Sequence, residues 1–353
     1  MSAEAAAVPA AARPGAYVDL GRDAAAMRRI FVALKLAQPD EPVAAVALAG
    51  GVSSGIYRVD LRSGSYCLKQ ALPRLKVTKV WSVPVERVFA EIAWLRTVAQ
   101  IAPGHVPQVL GQDDASKSFV MPYLGAQYRN WKSELLAGRI APAAAGAVGE
   151  LLGRIHAHTA DDPALAARFA NDENFHAIRL EPYLVETARV HPAVAAQLAA
   201  IVERTARTRR VLVHGDVSPK NLLLGPQGPV LLDAECAWYG DPAFDVAFCL
   251  NHFLLKAAHL PAHRDALIAS YRSFAQAYLA HVCWEPVAHL QERVTALLPA
   301  LALARVDGKS PVEYLDEPRR AAVRRVTLDL LSALTEPRTL EDMAVRWTRE
   351  FAP

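Results

Sequence analysis

One segment, Val211–Phe248, constrains this chain more than any other. It reads VLVHGDVSPKNLLLGPQGPVLLDAECAWYGDPAFDVAF. Two short apolar runs, Val211–Val213 and Val230–Leu232, each predict a strand that ends in a polar cluster. A turn at Gly225–Gly228 is expected to bring these two strands alongside each other.

The polar clusters after these strands carry the residue types that phosphoryl transfer needs. Asp216 follows His214-Gly215 and can accept the proton of an attacking hydroxyl, while His214 supports the loop. Oxygen ligands for Mg²⁺ are expected from Asn221, Asp233 and Glu235. Asp and Asn at strand ends often only cap turns. The combined H-G-D-x-x-x-x-N and D-x-E pattern, each part after a strand, favours the catalytic interpretation.

This pattern resembles the aminoglycoside phosphotransferase and choline kinase family of protein-kinase-like enzymes. The resemblance implies an α+β, two-lobed fold with an antiparallel sheet in a small lobe and a large, mainly helical lobe. It also implies ATP and Mg²⁺ as cofactors. Within the family, D-x-E at Asp233–Glu235 and the K-Q-A-L-P run at Lys69–Pro73 resemble the methylthioribose kinases.

Composition excludes several other classes of protein. The net charge of +3 and the absence of a concentrated basic run do not favour nucleic acid or a membrane surface as a partner. The four cysteines show no CxxC spacing, so neither a zinc site nor a disulfide framework is indicated. The expected partner is a small-molecule hydroxyl acceptor and the expected location is cytoplasmic, with a homodimer left open.

The expected organisation has three parts. Residues 1–15 are rich in Ala and Pro and are expected to form a mobile tail. Residues 16–122 are expected to form an N-terminal nucleotide-binding lobe, and 123–353 a helical catalytic and acceptor-binding lobe. By resemblance, the backbone at Met121 and Tyr123 contacts an adenine edge at the junction.

A glycine-containing hairpin tip is the first candidate nucleotide contact. Glycines allow a close backbone approach and point N–H groups at phosphate oxygens. An ordinary turn remains the alternative for such a hairpin considered alone. The candidate residues are Gly51, Ser53 and Ser54.

Lys69 ends an apolar strand and is the candidate contact for the α- and β-phosphates. It could instead extend into solvent along its aliphatic stem. In a kinase-like lobe a glutamate from the next helix holds this lysine, and the resemblance places Glu91 in that role, with Glu86 as the competitor.

Candidate contacts to the acceptor are less specific. The segment Phe175–Tyr183 is dense in polar and aromatic residues for a connecting segment, and it borders the acceptor pocket or forms a surface loop. The segment Leu303–Tyr314 reads as charged residues that contact acceptor or phosphate, or as an interhelical turn. The candidates are Arg179, Trp81, Lys220, Arg305, Asp307 and Lys309.

Three functions are compatible with these residues. The first is an ATP-dependent kinase for a sugar or sugar-like metabolite similar to methylthioribose. The second is a kinase for aminoglycosides or choline-like amino-alcohols, which needs an acidic acceptor pocket. The third, a non-catalytic nucleotide-binding regulator, is disfavoured because Lys69, Asp216, Asn221 and Asp233 are all intact. Ala304 stands where the methylthioribose kinases carry the first of two arginines, which puts that substrate in doubt.

Overall fold

A computed structural model describes residues 17–48, 53–73, 84–333 and 339–351 of the chain. The expected tail, residues 1–15, lies outside the described residues. Contacts divide the chain into two compact units, one drawn from Met1–Leu72 and Leu110–Tyr123, the other from Pro73–Val109 and Leu124–Pro353. The lobe boundary drawn after residue 122 stays a prediction, and residues 73–109 group with the second unit.

The first unit is built on a five-stranded antiparallel sheet with one helix packed against it. The strand order is β1-β2-β3-β5-β4. Apolar residues of the helix share a buried core with Val59, Leu68 and Val120 of the sheet. The elements are α1 (Ala24–Ala33), β1 (Ala45–Ala47), β2 (Ser54–Leu61), β3 (Gly64–Ala71), β4 (Gly111–Asp113) and β5 (Ser118–Pro122).

The second unit is mainly helical, with two small sheets of two and three strands. Its strands are β6 (Arg129–Asn130), β7 (Val211–Val213), β8 (Leu222–Gly225), β9 (Gly228–Leu231) and β10 (Trp238–Gly240). Its α-helices are α2 (Arg87–Ile101), α3 (Trp131–Leu136), α4 (Pro142–Thr159), α5 (Pro163–Arg168), α6 (Asp172–Phe175), α7 (Glu186–Val190), α8 (Ala195–Arg207), α9 (Pro242–His259), α10 (Arg264–Leu279), α11 (Val287–Asp307), α12 (Glu317–Ser332) and α13 (Leu340–Glu350). The predicted α+β class is confirmed.

Helix α9 is the central helix of the second unit. Asp241 caps its N-terminus by accepting the Ala243 N–H, and Pro242 occupies the first turn, where no N–H is needed. Every residue from Pro242 to Ala258 is buried. A helix that is buried on all sides must be enclosed by its neighbours, and α10 and α11 pack against this one.

The pairing expected for the two strands of the central segment is wrong. β7 pairs with β10, whereas β9 pairs with β8 through the Gly225–Gly228 turn. The reason is that Leu222–Gly225, which reads as part of the loop, itself forms the first strand of the hairpin. The His214 ring, which bonds the Leu232 carbonyl, still ties the ends of β7 and β9 together.

No helix in the described ranges is long and apolar enough to cross a bilayer.

Candidate active site

The loop after β7 carries the candidate base. β7 is fully buried and paired with β10, so the start of the loop is fixed. The loop turns at Gly215, whose φ of +80° favours glycine. A Cβ at this position would lie 2.7 Å from the Cys236 Cβ. A larger residue would therefore displace the turn that presents Asp216.

Asp245 of α9 holds the backbone of this loop. Its two carboxylate oxygens accept the N–H groups of His214 at 2.7 Å and Gly215 at 2.8 Å. His214 Nδ1 accepts the Asp216 N–H at 3.1 Å, and its Nε2 lies 3.1 Å from the Leu232 carbonyl, to which it donates. Burial lowers the pKa of His214, so the ring is neutral. His214 therefore supports the loop, as the sequence indicates, and is not the base.

Asp216 is 2% exposed, and its two carboxylate oxygens differ in their hydrogen-bond partners. Oδ2 accepts from Arg179 Nη2 at 2.7 Å and from Lys220 Nζ at 3.0 Å. Oδ1 is buried and has no hydrogen-bond partner among the described residues. Burial alone would raise the pKa of Asp216, but the charges of Arg179 and Lys220 lower it below its usual value. The residue is thus an ionised carboxylate with one oxygen available to a hydroxyl.

Arg179 lies in a helix and not in the connecting segment or loop that its sequence context suggests. The segment Phe175–Tyr183, expected to be a connecting segment or surface loop, continues α6 as a π-helix over His176–Val185. Arg179 is buried and donates Nε to the Gly215 carbonyl at 2.5 Å, in addition to its bond to Asp216. A guanidinium bonded to both the backbone and the carboxylate of the loop fixes the direction of the candidate base.

Asn221 and Asp233 lie next to Asp216. Asn221 Nδ2 donates to the Asp216 carbonyl at 3.1 Å, which leaves Oδ1 of the side chain as an oxygen ligand. The Leu232 N–H donates to the Asn221 carbonyl at 2.9 Å and so places Asp233 beside this turn. Burial would lower the pKa of Lys220, but the carboxylates of Asp216 and Asp233 raise it, so both acids act on one ammonium group.

Asp233 also has an unusual backbone conformation. Its φ is +68°, a region that residues other than glycine rarely adopt, although aspartate tolerates it. Such conformations persist where the surrounding structure imposes them, and they concentrate at functional sites.

Glu235 is held by a partner that the sequence does not reveal. Its Oε2 accepts from Arg87 Nε of α2 at 2.9 Å, and the two side chains are 9% and 0% exposed. The partner lies 148 residues earlier in the chain, so no local pattern indicates it. This contact places a buried guanidinium against one oxygen of the Glu235 carboxylate, and the role of Glu235 as a metal ligand stays a prediction.

Three further candidates lie at and beyond the end of α11 and have partners within the protein. Arg305 Nη1 donates to the Tyr183 hydroxyl at 3.3 Å and to Ser310 Oγ at 2.9 Å. Asp307 is bonded by His191 and Arg324, each at 2.7 Å. Lys309 Nζ pairs with Glu181 at 2.7 Å. Arg305 is connected to the candidate base, since the Tyr183 ring lies 5.8 Å from both the Arg305 and the Arg179 guanidinium. Asp307 and Lys309 are therefore both held in ion pairs within the second unit.

The candidates in the first unit lie on its sheet. Lys69 is 3% exposed and lies in β3 opposite Phe119 of β5. Ser53 and Ser54 are buried at the start of β2. Met121 lies in β5, and the Tyr123 N–H already donates to the Ser65 carbonyl at 3.0 Å. Gly51 and Trp81 lie outside the described residues.

The two glutamates considered as lysine partners differ in burial. Glu91 of α2 is 2% exposed, whereas Glu86 at the N-terminus of the helix is exposed. A buried glutamate needs a partner far more than an exposed one does. Which of the two glutamates holds Lys69 stays a prediction.

In the described part of the chain, no group of three or more His, Cys, Asp or Glu side chains is arranged to hold a metal. Magnesium at phosphoryl-transfer sites takes one or two carboxylates, with phosphates and water supplying the rest. Asn221 and Asp233 are hard oxygen donors of that kind, and their placement beside Asp216 fits this cation.

Comparison with known proteins agrees with this geometry. Residues 44–278 match the model of the phosphotransferase enzyme family. Methylthioribose kinase of Yersinia enterocolitica is 26% identical over 72% of this chain and 71% of its own length. The corresponding enzyme of Pectobacterium atrosepticum is 26% identical over 64% of this chain, and the match spans 63% of that enzyme.

Two solved structures share the fold. An ethanolamine kinase of Plasmodium vivax covers 91% of this chain and 85% of its own, with a TM-score of 0.51 and 11% identity. An amicoumacin kinase solved with AMP-PNP and Ca²⁺ covers 90% of this chain and 96% of its own, with a TM-score of 0.51 and 15% identity. These likenesses concern the fold alone. From the family match over 44–278, the chain belongs to the phosphotransferase enzyme family.

Proposed function

We propose that this protein is a kinase that transfers the γ-phosphoryl group of ATP to a hydroxyl of a small molecule. The observation that carries the proposal is Asp216, a buried and ionised carboxylate with one oxygen bonded twice and the other without a partner among the described residues. Phosphoryl transfer requires this arrangement, because the base must face the acceptor hydroxyl in a fixed direction.

Each charged neighbour of Asp216 has a separate role in this proposal. Asp216 Oδ1 accepts the hydroxyl proton as the bond from the acceptor oxygen to the γ-phosphorus forms and the bond from that phosphorus to the departing ADP breaks. Arg179 holds Oδ2 and the Gly215 carbonyl, so the carboxylate cannot rotate away. The Lys220 side chain is 49% exposed and bonded to the same oxygen, so its ammonium can also meet the transferred group.

Asn221 and Asp233 are the residues that would hold Mg²⁺. The cation neutralises phosphate charge when bound. In this proposal Asn221 contributes its side-chain oxygen, since its amide nitrogen is bonded to the Asp216 carbonyl. Glu235 supports the site from outside, through its ion pair with Arg87.

The first unit is proposed to bind the nucleotide. Lys69 would meet the α- and β-phosphates, with Glu91 as its partner, and Ser53 and Ser54 at the start of β2 would contribute phosphate contacts. The adenine edge is assigned to the backbone at Met121 and Tyr123. These assignments rest on the family resemblance and on the burial of Lys69 and Glu91.

The acceptor class proposed first is a sugar or sugar-like metabolite, supported by the curated relatives named methylthioribose kinase. An aminoglycoside or amino-alcohol acceptor is the second candidate, suggested by the ethanolamine kinase fold. Of the acceptor candidates in the segment Leu303–Tyr314, Arg305 is the one whose described contacts lead to Asp216, through Tyr183 and Arg179. Cytoplasmic location and homodimer formation stay predictions.

The experiment that tests the proposal is a search for phosphorylated product. The purified protein is incubated with ATP, Mg²⁺ and separate panels of neutral sugars, sugar acids and amino-alcohols, and mass spectrometry follows the acceptor. We expect an acceptor to gain one phosphoryl group as ADP appears. Nucleotide binding without phosphorylation of any panel member, or ATP turnover that never depends on an acceptor, would contradict the proposal.

A further inference from the structure

Phe248, His252 and Lys256 form a row along one face of α9. They are spaced four residues apart, so they follow one another on the same side of the helix. At one end the Phe248 ring lies 5.7 Å from the Arg179 guanidinium, the group that holds Asp216. At the other end Lys256 lies two turns further on, about 12 Å along the axis. The row leads from the candidate base to a buried lysine.

Lys256 is a buried cation without a carboxylate partner. It is 1% exposed, and no Asp or Glu among the described residues forms an ion pair with it. Its Nζ lies 5.1 Å from the centroid of the Tyr314 ring. Burial, together with the charges of Lys132 and Arg305, lowers the pKa of Lys256 to about 7. Because an unpaired buried ammonium is unfavourable, stability does not account for this lysine.

Polar groups without partners surround Lys256. His252 Nδ1, Arg305 Nε and the Tyr314 hydroxyl are buried and have no hydrogen-bond partner among the described residues. Burial is the largest cause of the pKa shift of Lys256, His252 and Tyr314, and the Arg305 charge contributes to all three shifts. These groups therefore lie in one neighbourhood. Buried polar atoms are nearly always bonded in native proteins. Several unbonded groups around one lysine indicate a site that awaits a ligand.

The charges around this site favour an anion. Glu313 is the carboxylate whose charge raises the pKa of Lys256, and Lys132 already bonds it. Arg305 is bonded to hydroxyl and carbonyl oxygens and has no carboxylate partner in the described ranges. Lys132, Lys256 and Arg305 therefore share the single carboxylate of Glu313, and this group of side chains keeps a net positive charge.

We propose that Lys256, Arg305, His252 and Tyr314 form a subsite for an anionic group, a carboxylate or a phosphate ester, carried by the acceptor. This inference rests on the proposed function, since it places the acceptor hydroxyl at Asp216 and the anionic group at the Lys256 end of the row. The acceptor is then a negatively charged hydroxy compound. Cationic amino-alcohols and aminoglycosides are rejected, because their charge would face Lys256 and Arg305.

Binding of small anions tests the subsite without catalysis. Calorimetry at pH 6.5 measures the affinity of inorganic phosphate and of acetate for the protein and for Lys256→Met, with exposed Lys35→Met as the charge-matched control. We expect Lys256→Met to weaken binding of one anion by about tenfold to a hundredfold, the effect of losing a charge-assisted hydrogen bond. Lys35→Met should bind normally, and Tyr314→Phe, which removes one hydroxyl, should weaken binding several-fold. The anion affected distinguishes a phosphate ester from a carboxylate.

Equal affinities in the protein and in Lys256→Met, or no binding of either anion at millimolar concentration, would overturn the subsite. Turnover then separates this inference from the proposed function. Glucose is compared with gluconate, and ribose with ribose 5-phosphate. We expect the charged member of at least one pair to be preferred tenfold in kcat/KM, and Lys256→Met to lose that preference.

The two proposals fail in different ways. If anion binding depends on Lys256 but no acceptor is phosphorylated, the proposed function fails and the subsite stands. If neutral acceptors are phosphorylated and Lys256→Met changes neither binding nor preference, the subsite fails and the kinase stands.

Discussion

Replacing Lys256 by methionine measures how much a buried charge at this position lowers the free energy of unfolding. Methionine keeps the length of the aliphatic stem and removes the ammonium group. The side chain is enclosed on α9, and the charged and titratable groups around it are Lys132, Cys249, His252, Arg305, Glu313 and Tyr314. Burial is the main reason why its pKa falls from 10.5 to about 7.

The sign of the effect follows from proton binding in the two states. Between pH 7 and 10.5 the unfolded lysine keeps its proton and the folded lysine releases it. The free energy of unfolding therefore rises with pH, by about 1.4 kcal/mol per pH unit for this group. Below pH 7 both states are protonated, and the folded state must bury the charge. Over the whole range the difference amounts to roughly 5 kcal/mol.

Urea unfolding of the protein and of Lys256→Met at pH 6.5, 7.5, 8.5 and 9.5 measures this difference. We expect Lys256→Met to be the more stable of the two at pH 6.5, with the advantage shrinking as the pH rises. Inorganic phosphate should reduce the advantage at pH 6.5, because an anion in the subsite stabilises the charged lysine. A stability difference that is constant across this range would refute the assignment of a strongly lowered pKa to Lys256.

Three further predictions concern the catalytic loop and its supports. Arg179→Met should raise the pKa of Asp216, since the Arg179 charge helps to lower it. In the pH profile of kcat, the acidic limb should therefore move to higher pH. An unchanged limb would contradict the assigned contact. Arg87→Met should leave Glu235 buried without its charge partner and lower the free energy of unfolding by about 3–5 kcal/mol, measured by urea denaturation, with Arg87→Met/Glu235→Gln recovering part of the loss. Gly215→Ala places a side chain at a φ of +80°, and calorimetry should show a lower Tm together with reduced turnover.

The sequence signals of the candidate catalytic loop are local. Asp216, Asn221 and Asp233 lie within 18 positions of one another, and the short apolar strands before them fix where the polar residues emerge. The family predicted from these motifs is confirmed. The pairing of the strands was wrong because a three-residue strand has several partners of similar character, and tertiary packing chooses among them.

Long-range partners could not be predicted from the pattern. Arg87 and Glu235 are 148 residues apart, and nothing in either neighbourhood indicates the other. The π-helix around Arg179 was missed because Pro182 and the polar residues of FHAIRLEPY read as a connecting segment. Tertiary burial of its apolar residues overrides that local preference.

The sequence around Lys256 carries a signal of its own. It stands in the run CLNHFLLKAAH, four residues after His252, within a helix otherwise made almost entirely of apolar residues. A lysine in such a helix is buried or ends the apolar face, and the sequence alone does not decide between the two. In the structure the Lys256 side chain is buried.

The central claim is that Asp216 is the base of a phosphoryl transfer, and Asp216→Asn tests it most directly. Turnover with an identified acceptor is measured alongside nucleotide affinity, with exposed Glu203→Gln as the matched control. The account predicts that Asp216→Asn loses about 10²–10⁴-fold in kcat while nucleotide affinity is retained and Glu203→Gln behaves like the unaltered protein. An Asp216→Asn protein that phosphorylates the acceptor at the unaltered rate would contradict the account.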